Sequence, residues 1–164
     1  MSDGAPEKLP QNINHLLMEI GEKQVLFRLC LAVHDSSKKS SWEVYPNLAE
    51  SGYDIVLLNM DTKEKLRIEV KARQRLSATA KKESLNMVHF TLTKTEYQNC
   101  DFLIAYWLEN NDFFIVPKSE FKQTSSKGNA LYKFVVRKNK SQKYNPEAEK
   151  YLNKWETITA LLNS

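Results

Sequence analysis

Tyr53-Asp54-Ile55-Val56-Leu57-Leu58, a polar link from Asn59 to Glu64, and then Lys65-Leu66-Arg67-Ile68-Glu69-Val70-Lys71-Ala72-Arg73-Gln74 make the stretch on which the fold turns. Both halves are rich in β-branched and apolar residues and are bounded by polar clusters, so both read as strands. A link this short predicts that residues 53–58 and 66–72 pair as an antiparallel hairpin. Side chains alternate along a strand. Leu66, Ile68, Val70 and Ala72 therefore share one face, and Arg67, Glu69, Lys71 and Arg73 the other. Asp54 opens the first strand beside an apolar run, where a carboxylate can meet a carboxylate and an ammonium of the neighbouring strand. An amphipathic strand with a solvated charged face, plus an acid in a turn, would leave the same residues. A bare Glu-x-Lys does not separate the two readings.

Working outward, the 164 residues suffice for one domain with a real core. An apolar share of 41% and a charged share of 27% argue against disorder. The net charge of +4 permits a nucleic-acid partner without demanding one. Cys30 and Cys100 both sit among apolar neighbours and read as reduced core thiols. No Cys-x-x-Cys occurs, which argues against a structural zinc site. The N-terminus is polar and no apolar run is long enough to span a bilayer, so a cytoplasmic protein is expected.

Residues 1–11, with Gly4, Pro6 and Pro10, read as a loose tail, and residues 12–164 as a single domain. A helix is expected from Asn12 to His34, with one stripe of Ile13, Leu16, Leu17 and Ile20 and another of Met18, Val25, Leu26, Leu29 and Val33. Glu22 falls on or beside the second stripe. A buried carboxylate there needs a partner; one at the stripe's edge would reach water instead. Trp42–Tyr45 reads as a short strand closed by Pro46. Gln74 to Glu83 carries Arg75, Lys81 and Lys82 and few apolar residues, which predicts a mobile basic loop. Met87–Leu92 is a weak strand. Thr93-x-x-Glu96 has the spacing of a capping box and starts a short helix through Asn99. Phe102–Leu108 predicts a buried strand, and Phe113–Val116 its hairpin partner across Glu109–Asp112. Leu131–Val136 reads as a further strand, and Pro146 as the start of a final helix over Glu147–Leu162. Three scattered His, no Gly-rich phosphate loop and no Gly-x-Ser-x-Gly elbow leave little support for other chemistries.

A helix carrying Glu22, a strand, a hairpin carrying Asp54 and then Glu69-Val70-Lys71, a helix and a buried strand: this order resembles the PD-(D/E)xK nuclease superfamily, the restriction-endonuclease-like fold. Its core is αβββαβ, with Asp at the start of the second strand and (Asp/Glu)-x-Lys in the third. The resemblance covers roughly residues 12–108 and is similar to stand-alone, restriction-associated and Holliday-junction-resolvase-like members, the last through a Glu in the first helix. Ile68-Glu69-Val70-Lys71 followed by Phe90-Thr91-Leu92-Thr93-x-x-Glu96 carries it further. Tyr53, where the motif has Pro, is a departure that the superfamily tolerates. The implied fold is α/β, a mixed central sheet flanked by helices, with extra C-terminal strands and a helix.

The resemblance implies a metal-dependent endonuclease that hydrolyses nucleic acid, DNA in the first instance, leaving a 5′-phosphate and a 3′-hydroxyl. It implies Mg²⁺, with Mn²⁺ as a substitute, held by Asp54, Glu69 and the Val70 carbonyl. Lys71 would orient or deprotonate the attacking water, and Glu22 would hold a second metal, Lys71 or a water. Gln74 is an auxiliary candidate. Arg73, Arg75, Lys81, Lys82 and Lys94 would contact phosphates. Many members cut both strands as dimers, which makes a homodimer an expected partner. Two alternatives stay open: a catalytically inactive nucleic-acid-binding or assembly module on the same fold, and an interaction protein with merely solvated charges.

Overall fold

The structure is a computed structural model that describes residues 10–49, 52–73, 77–79, 82–139 and 141–164. Helix α1 spans Gln11–Asp35, one residue longer at each end than the spacing predicts. The Pro10 carbonyl accepts the first backbone bonds, from Ile13 and Asn14. Ser36 closes the helix, with its N–H and its Oγ both donating to the Val33 carbonyl.

The buried face of α1 is Leu17, Gly21, Val25, Leu29, Ala32 and Val33. It is a single row at steps of about four residues that keeps Val25, Leu29 and Val33 of the second expected stripe and Leu17 of the first, with Gly21 between them and Met18 left out. Met18 is 55% exposed, because one residue along a helix turns it about 100° off that row. Gly21 explains where the row lies. A Cβ built there would come 2.6 Å from the Ala72 Cβ, so only glycine lets the helix sit this close to the sheet.

The chain then makes β1 (Trp42–Pro46), β2 (Ile55–Asn59) and β3 (Lys65–Arg73), an antiparallel meander. Where described, the stretch expected as a basic loop is strand: β4 (Ser77–Thr79) and β5 (Lys82–Thr93). Helix α2 (Lys94–Asn99) follows with its capping box formed, as its spacing predicts. Strand β6 (Phe102–Trp107) returns parallel to β3, and β7 (Asp112–Pro117) pairs antiparallel with β6. A five-stranded mixed sheet results, in the order β1-β2-β3-β6-β7.

Strand β8 (Lys122–Ser126) escaped the sequence reading. It pairs with β9 (Asn129–Lys138), which pairs with β5, giving a second sheet in the order β4-β5-β9-β8. The expected last helix is broken into α3 (Pro146–Glu149) and α4 (Glu156–Asn163). Between them Tyr151 and Asn153 run along the outer edge of β7. The Tyr151 carbonyl accepts from the Ile115 N–H at 3.0 Å, the Asn153 N–H donates to the Phe113 carbonyl at 2.6 Å, and Asn153 Oδ1 accepts from the Phe113 N–H at 2.9 Å. The break satisfies an edge that would otherwise show bare backbone groups.

Two cores flank the five-stranded sheet. One lies against α1 and α4 and holds Val25, Leu29, Ile68, Ile104, Ile115 and Ile158. The other lies under the second sheet, α2 and α3, and holds Phe90, Leu92, Leu103, Phe114 and Val136. All six residues of β6 are consequently buried, as expected for a strand covered on both faces. Cys100 belongs to the second core, but Cys30 is exposed, against the expectation that both are core thiols. Among the described residues no helix is long and apolar enough to cross a membrane.

Candidate functional site

Strand β2 begins at Ile55, whose register partner is Ile68, and Asp54 sits just before it. The Asp54 N–H donates to the Ile68 carbonyl at 2.8 Å, and its Oδ2 accepts from the Val70 N–H at 2.7 Å. The side chain thus replaces the strand partner that Val70 lacks once β2 has ended. This fixes the carboxyl beside Glu69, which feels its charge. Glu69 is 7% exposed, since β3 is a central strand and the second sheet with α2 covers this face. That burial removes the reading of a solvated charged face at Glu69.

Lys71 lies two residues on, and its Nζ stands 3.5 Å from Glu69 Oε1 and 3.0 Å from Glu96 Oε2. Glu96 is a site residue that sequence reasoning missed. It enters the sequence reading through the capping box and as the end of the Phe90-Thr91-Leu92-Thr93-x-x-Glu96 pattern, but is given no role in the site there. In the structure it serves cap and site together: its N–H donates to Thr93 Oγ1 at 3.2 Å, while Oε2 accepts from the Thr93 N–H at 3.4 Å and from Lys71.

The charges here are strongly coupled. Burial, then the Asp54 charge, pushes the Glu69 carboxyl up to about 8 against the pull of Lys71. Asp54 also lies above the ordinary aspartate value through burial, although the Val70 N–H and Lys71 draw it down. Burial draws the Lys71 pKa down, but Glu69 and Glu96 outweigh it and the net shift is upward. Glu22 is raised by burial first and by Asp54 second, which places the helix acid in the field of the same group. Glu22 is one step around α1 from Gly21, at the border between helix and sheet. Behind the site the Cys100 thiol is pushed up to about 12, chiefly by burial, and is no nucleophile.

A cleft of about 190 Å³ opens beside Lys71, lined by Met18, Val70, Lys71, Ala72, Arg73 and Thr91. Met18, misplaced as a core residue, finds its position here. Arg73 reaches back to the Ala72 carbonyl at 2.9 Å, with its guanidinium 5.8 Å from the Phe90 ring centre. Lys94 is exposed at the first position of α2. Gln74, Arg75 and Lys81 lie outside the described residues, as does the Lys82 side chain. Arg67, on the charged face of β3, is spent on structure: its guanidinium pairs with Asp101 at 3.2 Å, tying β3 to the start of β6.

Could this site hold a metal? No group of three or more His, Cys, Asp or Glu suited to an ion occurs among the described residues. Magnesium does not need one, since one or two carboxylates with water and substrate phosphate suffice. Asp54 and Glu69 supply those two, and all the candidate donors are hard oxygens, which suit Mg²⁺ or Mn²⁺ rather than zinc. The electrostatics agree. At neutral pH the carboxyl pair retains a proton, and a divalent cation relieves the same repulsion.

No protein-family model matches the sequence, and no curated protein matches it. Solved structures do. A bacterial homing endonuclease, I-Ssp6803I, is similar over 90% of this chain and 91% of its own, with a TM-score of 0.57 and 18% identity. The Holliday junction resolvase Hjc of Archaeoglobus fulgidus is similar over 87% of this chain and 95% of its own, with a TM-score of 0.54 and 14% identity. Both have PD-(D/E)xK-like nuclease folds, and this chain shares that restriction-endonuclease-like fold.

Proposed function

We propose that the chain is a metal-dependent endonuclease that hydrolyses phosphodiester bonds of DNA and leaves a 5′-phosphate. The observation that carries the reading is a buried Glu69 beside Asp54, with Lys71 held as an ammonium on the same strand. Likeness in fold to an endonuclease and to a junction resolvase supports nucleic acid as the substrate.

Asp54 and Glu69, with the Val70 carbonyl, would hold Mg²⁺ or Mn²⁺. Bound there, the cation supplies Lewis-acid polarisation of the phosphoryl group and a lower pKa for a nearby water. Lys71 stays protonated between Glu69 and Glu96, which favours the orienting role over the deprotonating one. It donates hydrogen bonds to the attacking water and to the phosphoryl oxygens as their charge grows. Glu96 aims that ammonium. Glu22 orients water or Lys71 from the helix side. Arg73, at the mouth of the cleft, meets a flanking phosphate.

The test is cleavage of duplex DNA with and without Mg²⁺, beside Lys71→Ala. Loss of one phosphoryl-facing donor costs on the order of a hundred- to a thousandfold. DNA that is bound but left uncut by the wild type in Mg²⁺ and in Mn²⁺ would make the chain a binding module instead.

A further inference from the structure

The second sheet has an outward face that the catalytic reading does not use. Its inward residues, Val88, Phe90, Leu92, Phe134 and Val136, are buried in the second core. Paired residues of antiparallel strands share a face, so the outward rows follow from the register. Thr91 is the partner of Lys133, and Lys133 is the partner of Lys122. Two residues along, His89 pairs with Val135, and then Met87 with Arg137. Among the described residues these rows carry no acid. Their positive charges act on one another: His89 lies below the ordinary histidine value, through burial first and then through Lys133 and Arg137.

Two further observations give the face a direction. Thr91 also lines the cleft beside Lys71 and Arg73, so the first row starts at the candidate active site. At its far side, where β8 stops pairing beyond Lys122–Lys133, a groove of about 380 Å³ opens along β9. Lys122, Lys133, Arg137 and Lys150 line it, against Glu120 and Glu147. Both acids have partners there: Glu120 interacts with the Tyr151 hydroxyl, and Glu147 accepts from Asn145 Nδ2 at 3.3 Å. Strands in a sheet lie about 4.8 Å apart and alternate residues about 7 Å apart. Lys122 and Lys133 therefore lie side by side, and Arg137 stands two such steps, about 14 Å, further along β9 with Val135 between, so the three make a line of one sign that leads out of the cleft.

We propose that this outward face is the platform on which a nucleic-acid backbone lies as it leaves the cleft, with Lys122, Lys133 and Arg137 as its phosphate contacts. The proposal rests on the nuclease reading and adds a binding surface to it. The occupant is the phosphate backbone of duplex DNA, because cations spaced along a strand meet phosphates of any sequence, while Glu120 and Glu147 on the groove's wall are engaged by Tyr151 and Asn145.

The experiment measures binding of a duplex of about 30 base pairs, roughly 100 Å long at 3.4 Å per step, as a function of salt. It is run in a Glu69→Gln background so that the DNA stays whole. Lys122→Ala, Lys133→Ala and Arg137→Ala together are expected to weaken binding on the order of ten- to a hundredfold near physiological salt and to flatten the log–log salt slope by roughly three units. The loss should be equal for unrelated sequences. Lys122→Arg with Lys133→Arg and Arg137→Lys should restore both. An unchanged slope in the triple alanine variant, while Arg73→Ala weakens binding, overturns the platform and leaves the nuclease reading standing. A wild-type chain that neither binds nor cuts DNA overturns both.

Discussion

Glu69 makes the sharpest statement available at the scale of one residue. Its carboxyl sits at about 8 in the folded chain, against an ordinary value of 4.5. Between those two values the native state binds more protons than the unfolded one, so stability falls as pH rises through the window. The metal-free protein should therefore melt at a lower temperature at pH 8 than at pH 5, and Glu69→Gln should flatten that slope. Saturating Mg²⁺ should raise the melting temperature more at pH 8 than at pH 6, since the ion and the proton compete for one place. A melting temperature that climbs from pH 5 to pH 8 without metal would show that the pair is comfortably ionised. Glu96→Gln isolates the partner that the sequence hid. Glutamine still serves the capping box, so α2 survives, but Lys71 loses the charge of its nearer carboxylate. The expected result is a fall in kcat on the order of ten- to a hundredfold with KM little changed, and an alkaline limb of the rate profile that begins earlier. Glu22→Gln should likewise keep the fold and lose activity on the order of a hundredfold, whereas unchanged cleavage would remove α1 from the chemistry.

Among the elements, α1 against β3 is the contact that aligns the site. Gly→Ala in an exposed helix gains about 1 kcal/mol of helix propensity. At Gly21 the added methyl meets Ala72 Cβ at 2.6 Å, and overpacking costs about 1–3 kcal/mol, so the sign reverses. Gly21→Ala should destabilise the chain and carry Glu22 away from Asp54, lowering activity as well. Ala72→Gly in the same chain should recover part of both, which a simple loss of helix flexibility would not allow. Much at this level is legible in the amino-acid sequence. The hairpin, the capped α2 and the buried β6 follow from alternation, a capping box and an apolar run. Strands β4 and β8 and the start of β5, ahead of Met87, could not be read the same way. Lys122-Gln123-Thr124-Ser125-Ser126 carries no alternation, and it is strand only because β9 lies beside it. The break at Tyr151–Asn153 was hidden because Ala148, Tyr151, Leu152 and Trp155 keep helical spacing while the backbone turns to serve β7. Glu96 was hidden for a different reason. It stood in the pattern that carries the resemblance, but the capping box gave its carboxylate a use, and only the fold brings Lys71 to it.

For the whole molecule, the C-terminal segment closes both cores. Ile158 and Leu162 complete the core under α1, Ala148 enters the other, and residues 151–153 cover the edge of β7. A chain ending at Asn145 should lose its cooperative melt and aggregate, because a central-sheet edge and two apolar faces are opened together. A truncated chain that melts as sharply as the full one would make the segment an ornament.

The chain leaves the five-stranded sheet at Arg73 and comes back through Glu96, and both ends of that excursion are fastened at Lys71. On the way back Phe90 and Leu92 fill the second core against β6, so the excursion is held to the sheet by packing as well as by the Lys71–Glu96 pair. The groups proposed for the chemistry and the wall that keeps Glu69 dry thus lie on one continuous stretch of chain, and a change in either is felt by the other.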